Sequence, residues 1–254
     1  METIIIALFG LAWGSFLNVV IYRLPRGQSL AWPPSSCPQC RARIKPHDNI
    51  PVLSYLFLRG KCRACGSPIS LLYPLVEAIT PICFLLLHAR FGLSVHFFVS
   101  CLFASALIAL CFIDLYHQVL PDEITLPGLA LALVYSAFRA DLGLRQALIG
   151  AVVGAGFLLV IYSAYWFLRK KEGLGMGDVT MMLFIGAYLG WQKSFFTLLA
   201  ASLTGAIVGV FLMSFRKKDL QFSLPFGSFL APAAFVALIW GDRIIRAYLS
   251  LYRR

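Results

Sequence analysis

Apolar runs close to the length of a bilayer crossing recur along almost the whole chain, and no other feature constrains its fold as tightly. A helix needs about 20 apolar residues to cross a hydrocarbon core. The runs fall at 3–22, 71–87, 93–113, 124–138, 147–168, 179–191, 195–215 and 225–245, and several fall short of that length. With 60% hydrophobic and only 13% charged residues in 254, and a mean hydropathy of +0.82, most of the chain belongs in lipid. The expected fold is an all-α polytopic membrane protein of about eight transmembrane helices. The first apolar run begins at Ile4 and no small-residue cleavage site follows it, so no cleavable signal peptide is expected. Gly150-x3-Gly154 and Gly205-x3-Gly209 are small-residue pairs suited to close helix packing.

One sizeable polar segment interrupts this pattern. Residues 25–70 are rich in Pro, Arg, Lys and Cys. They divide the chain into a first transmembrane helix at 1–24, a small extramembrane loop domain at 25–70 and a multi-span region at 71–254. The net charge of +11 is high enough to raise nucleic acid as a partner. In so apolar a chain the cations instead mark cytoplasmic loops and anionic lipid, and no nucleic-acid partner is expected. Arg23, Arg26, Arg41, Arg43, Lys45, Arg59, Lys61 and Arg63 precede the second run. Arg169, Lys170, Lys171, Arg216, Lys217 and Lys218 fall in later loops on the same side of an alternating topology. That bias places the N-terminus outside and the polar loop in the cytoplasm. Arg243, Arg246, Arg253 and Arg254 run locally against it.

Carboxylates are scarce in the spans and therefore informative. Gly173-Leu174-Gly175-Met176-Gly177-Asp178 follows a basic cluster and leads into an apolar run. Its glycines disfavour a regular helix, each costing up to about 1 kcal/mol against Ala. They suit a closely approached backbone at a helix start, with Asp178 on it. Asp114 ends the apolar run 93–113 and falls on the same side. Ionisable groups at the edge of the hydrocarbon are costly and mark function by default. Asp178 and Asp122 are also placed to cap helices. Asp114 is not, because the C-terminal end of a helix disfavours a negative charge. Two adjacent carboxylates share a proton and titrate as a unit. Such a pair can activate water with one member and polarise a peptide carbonyl with the other.

Cys37-Pro38-Gln39-Cys40 and Cys62-Arg63-Ala64-Cys65 are two C-x2-C pairs, the spacing of a four-thiolate zinc site. Two disulfides are the alternative, and a cytoplasmic location disfavours them. Four cysteine ligands leave no open position, so the role is structural. A loop this short needs the metal for much of its stability. Cys83, Cys101 and Cys111 lie singly in apolar runs and read as packing residues.

Taken in order, these blocks resemble the type IV prepilin peptidases, the bifunctional leader peptidase/N-methyltransferases that are GxGD-type membrane aspartyl proteases. The resemblance rests on Gly14-Ser15-Phe16-Leu17-Asn18 through Arg23-Leu24-Pro25, and on both C-x2-C pairs with Asn49-Ile50-Pro51 and Leu58-Arg59-Gly60-Lys61 between them. It continues through Asp114 with Leu120-Pro121-Asp122, Lys171 through Asp178, and Leu224-Pro225-Phe226-Gly227. It implies cleavage of the basic leader of prepilins and pseudopilins, by Asp114 and Asp178, at the cytoplasmic face of the bacterial inner membrane. It also implies methylation of the new N-terminal amine from S-adenosylmethionine, an activity associated with the cysteine loop. Gly175 and Gly177 are the implied active-site loop. Many members carry Lys two residues after the second aspartate, where this chain has Thr180. No glycine-rich dinucleotide loop is present to hold the methyl donor. Asn18, Tyr22, Arg23 and Glu77 are candidates for it by position. Asn18 is equally suited to a helix–helix hydrogen bond. Glu77 is equally suited to pair with Arg23 or Arg63. Two other functions fit parts of the sequence: a peptidase without methylation, and a proton-coupled transporter with a zinc loop.

Overall fold

A computed structural model describes residues 1–170, 175–216 and 224–251. Residues 171–174 of the glycine-rich stretch, and the cations Lys217, Lys218, Arg253 and Arg254, lie outside the described residues. The helices are α1 (Glu2–Arg23), α2 (Leu53–Phe57), α3 (Leu72–Phe91), α4 (Val95–His117), α5 (Asp122–Phe138), α6 (Gly143–Arg169), α7 (Met176–Leu189), α8 (Trp191–Arg216) and α9 (Gly227–Leu251). No strand occurs among the described residues, only two isolated bridges, Ser36 with Arg43 and Lys61 with Pro68. Each of the eight apolar runs is a helix. Six of them, α1, α3, α4, α6, α8 and α9, are long and apolar enough to cross a membrane. α7 is apolar but has 14 residues, and α5 has 17. Both are shorter than a straight crossing of about 20 residues, so the six long helices are the spans that length and composition support.

The chain divides into two compact units, Met1–Ala109 and Leu110–Arg254. In the first, α1 lies against α3. Two glycines of α1 allow this: a Cβ on Gly10 would fall 2.6 Å from Pro81 Cα, and one on Gly14 would fall 2.9 Å from Glu77 Cα. The Trp13 indole N–H donates to Ser105 Oγ at 2.8 Å, tying α1 to the part of α4 in this unit.

The second unit is built around α7, which packs on α5, α6, α8 and α9. Val179, Met182, Phe184, Ile185, Ala187 and Tyr188 are buried and Thr180 and Leu183 are half-buried, so past its first turn α7 presents no exposed stripe. A helix apolar on every side belongs in a core, which explains how a short helix sits stably in the unit. Gly150 of α6 and Gly186 of α7 bring two backbones into contact: a Cβ on either would fall 2.3 Å from the other's carbonyl oxygen. Gly154 borders Met182 in the same packing, and Gly205 borders Phe229. The glycine pairs therefore serve packing, as the sequence leads one to expect. At the far end of α7 the Arg139 guanidinium donates to the Tyr188 carbonyl at 2.9 Å, the favourable place for a cation at a helix C-terminus.

Candidate active site and metal cluster

The cysteine loop builds two matching knuckles. In the first, Cys37 N–H donates to Ala42 O at 2.9 Å, and Arg41 N–H returns to Cys37 O at 2.8 Å. In the second, Cys62 N–H donates to Ser67 O at 2.8 Å, and Gly66 N–H returns to Cys62 O at 2.9 Å. The residue after each second cysteine takes the left-handed conformation, Arg41 at φ 57° and Gly66 at φ 69°. The knuckles face each other, so that the four Sγ atoms lie within 4.8 Å of one another. Cys37 and Cys65 are separated by 3.9 Å. Tetrahedral zinc with Zn–S bonds near 2.3 Å sets its thiolates about 3.8 Å apart, so the donor set fits that ion.

The electrostatics of the loop divide its thiols: against the Ala42 N–H, which lowers it, the neighbouring Cys65 thiol helps push Cys40 up to about 11. The backbone N–H of Cys40 is the largest influence pulling the Cys37 thiol down to about 6. The Ser67 hydroxyl likewise lowers Cys65. Thiols this close resist ionising together unless a cation joins them. Beside the knuckles, Arg63 grips Asp48 with two nitrogens, Nη2 at 2.6 Å and Nε at 2.9 Å, and holds the Asp48 carboxyl below the usual carboxylate range.

The four residues named for the methyl donor separate. Arg23 donates to Ser29 O at 2.9 Å and Pro33 O at 2.6 Å, and so holds the start of the loop. Tyr22 stacks under the Arg26 guanidinium, 4.1 Å from ring centroid to Cζ. Asn18 and Glu77 come together inside the first unit, where the Asn18 side chain reaches the Glu77 carboxylate. Asn18 Nδ2 donates to Tyr73 O at 3.0 Å, a helix–helix bond of the kind the sequence allows. The pairing of Glu77 with Arg23 or Arg63 does not occur. Arg23 is bound to carbonyls and Arg63 to Asp48, while Glu77 accepts the Val52 N–H at 2.7 Å.

Asp114 and Asp178 meet in the second unit, 5% and 7% exposed respectively. Asp114 occupies the last turn of α4, where its own helix offers no stabilisation. The start of α9 supplies it instead. Ser228 N–H donates to Asp114 Oδ2 at 2.8 Å and Ser228 Oγ lies 3.2 Å from the same oxygen. The Ser228 hydroxyl also reaches Cys111 O at 3.0 Å. The helix N-terminus that points at Asp114 carries the partial positive charge that a carboxylate needs. Asp178 lies in the first turn of α7, and its carboxylate turns back toward the Gly175 backbone N–H. That is the capping geometry of an acid in a helix's first turn. The Asp114 charge bears on Asp178, and both carboxylates lie against the Gly227 amide.

Two glycines make this approach possible. A Cβ on Gly177 would fall 2.8 Å from Leu120 Cβ, and one on Gly227 would fall 3.0 Å from Asp114 Oδ2. Leu120 therefore wedges between the starts of α7 and α9. Gly175 has an ordinary extended backbone at φ −74° and borders the Asp178 carboxylate. Thr180 donates to the Gly177 carbonyl at 3.0 Å, so it serves its own helix turn. Ser228 was missed at the sequence level. Its signal was the Pro225-Phe226-Gly227-Ser228 run, a helix-start pattern opening the last apolar stretch.

Known proteins resemble the chain over nearly its full length. Residues 8–91 match the bacterial peptidase A24 N-terminal domain, and residues 101–210 match the type IV leader peptidase family. A prepilin leader peptidase/N-methyltransferase of Pseudomonas putida is 40% identical over 95% of this chain and 92% of its own. Relatives of the same name from Pseudomonas aeruginosa and Legionella pneumophila are 38% and 34% identical, over 96% and 98% of this chain and 92% and 95% of theirs. No solved structure shows a significant match. With two buried aspartates at adjoining helix ends, a four-cysteine loop and relatives matched from end to end, the chain belongs to the prepilin leader peptidase/N-methyltransferase family.

Proposed function

We propose that Asp114 and Asp178 are the aspartyl dyad that removes the leader of type IV prepilins and pseudopilins, and that the same protein methylates the amine so exposed. The observation that carries the reading is the meeting of the two carboxylates around the Gly227 amide. Two carboxylates this close keep one proton between them. The ionised member takes a proton from water, and the water oxygen attacks the scissile carbonyl carbon. The protonated member gives its proton to the carbonyl oxygen. In the collapse the C–N bond breaks, the leaving amine takes the proton that the first member drew from water, and a hydroxyl of the tetrahedral carbon returns its proton to the second member, so the dyad regains its starting state. Ser228 and the α9 N-terminus keep Asp114 oriented throughout.

The substrate class suits a site near a membrane edge. A prepilin presents basic residues, then Gly, then an apolar helix that stays in the bilayer. The positive-inside bias supports a site facing the cytoplasm of a bacterial inner membrane, and it supports α5 and α7 as short additional crossings. Cys37, Cys40, Cys62 and Cys65 would hold zinc as a structural ion, with no open position for catalysis. S-adenosylmethionine supplies the methyl group when bound. The peptidase-only and transporter alternatives are not favoured, because the relatives carry both activities in their name. Co-expression with a prepilin, followed by mass analysis of the product, tests the reading. Loss of the leader and gain of one methyl group are expected. An intact prepilin would overturn it, and an unmodified amine would remove the methylation half.

A further inference from the structure

Two buried acceptors in the first unit lack what a cation would supply. Glu77 is 8% exposed and Asn18 is 4% exposed. The contacts of Glu77 come from neutral groups, the Val52 N–H and the side chains of Ser15 and Asn18. No Lys, Arg or His of the described residues pairs with it. The cations that could have done so are committed elsewhere, Arg23 to loop carbonyls and Arg63 to Asp48. Beside it, Asn18 Oδ1 is buried without any hydrogen-bond donor. A buried carboxylate without a counter-charge and a buried carbonyl without a donor are each costly. A ligand group that is both cationic and rich in N–H satisfies them together. A sulfonium or quaternary ammonium has the charge but no N–H, and Glu77 repels an anion.

The surroundings are built rather than incidental. Gly14 removes the side chain that would otherwise separate α1 from Glu77. Val52 sits at φ 61°, ψ −48°, with Leu53 N–H donating to Pro51 O at 2.6 Å. This is a tight γ-turn of the rare, strained kind. A β-branched residue adopts positive φ only where its surroundings impose it. Here the turn aims the Val52 N–H at Glu77.

We propose that Glu77 and Asn18 form a binding site for a primary ammonium group. The proposal rests on the prepilin-peptidase reading, which supplies such a group: the N-terminal amine freed by cleavage. The methyl donor carries an α-ammonium of the same chemistry, so the experiment separates the two sources.

Full-length protein is purified, and its affinity is measured for a synthetic peptide that begins at the cleaved N-terminus. The peptide is used with a free amine and with an acetylated one. The wild type binds the free amine about tenfold or more tighter, the scale of a charged hydrogen bond. Glu77→Gln keeps an oxygen for the Val52 N–H but loses the charge, and it erases that preference. Affinity for S-adenosylmethionine is measured by equilibrium dialysis on the same samples. If Glu77→Gln weakens that affinity and leaves the peptide preference intact, the ammonium is the donor's. Metal content and melting temperature report whether the variant folds. The wild type alone can also overturn the site, by binding both peptides equally and binding the donor no better than its N-acetylated analogue. Glu77→Gln with wild-type affinity for peptide and donor overturns it too. Leader cleavage by the wild type is scored in parallel: its absence counts against the dyad and leaves the binding arms to judge Glu77.

Discussion

The metal cluster and the aspartate pair are assembled in opposite ways. The four thiols come from one loop, and short-range backbone bonds set each knuckle: Cys37 with Ala42, Cys62 with Ser67. The carboxylates come from the end of one helix and the start of another, with a third helix supplying Ser228. The four-thiol cluster thus depends on local turns and, in the reading proposed above, on the ion it would hold. The dyad depends on helices packed closely enough that Gly177 and Gly227 have no room for a side chain. Damage to one should leave the other intact, and that separation can be tested.

The largest effect belongs to the dyad. Asp114→Asn or Asp178→Asn removes the shared proton or its acceptor. Leader cleavage is expected to fall by about a thousandfold or more, on the scale of acid–base catalysis. The metal content of both variants stays at the wild-type level, as read by elemental analysis. Next is Cys40→Ser, which removes one of four ligands. The loop is expected to lose its metal and become open to trypsin at Arg41 and Arg43, while leader cleavage continues. Simultaneous loss of cleavage would break the comparison. Ser228→Ala comes third. It removes one donor from Asp114 and leaves the backbone N–H, so cleavage should drop about tenfold, with Ser228→Thr restoring it. The smallest effect is Asp48→Asn. The Arg63 guanidinium lowers the Asp48 carboxyl in the folded loop. Its contribution is therefore present above the unfolded value of about 3.9 and is lost as pH falls through the lower folded value. The variant should be more protease-sensitive than the wild type at neutral pH. The difference should vanish in acid below that range, as limited proteolysis at several pH values will show.

The same contrast explains what could be read from the sequence. The knuckles were legible because C-x2-C spacing and turn residues are local facts. Asp114 was legible because a carboxylate ending an apolar helix has no bland purpose. All eight helical runs were visible because apolar composition is also a local fact, although the shortness of α7 made sense only once its near-complete burial was known. Ser228 was hidden because its role depends on α9 starting beside the end of α4. The Glu77–Val52 bond was hidden because it joins a strained turn to a helix that the sequence does not pair. The carbonyl partners of Arg23 were hidden because they lie in an irregular segment with no periodicity to reveal them.

The most direct test gives the aspartate variants two substrates, an intact prepilin and a peptide that already begins at the cleaved amine. Asp114→Asn and Asp178→Asn should leave the prepilin uncut yet methylate the pre-cleaved peptide at the wild-type rate. Cutting of the prepilin at the wild-type rate by either variant would contradict the dyad.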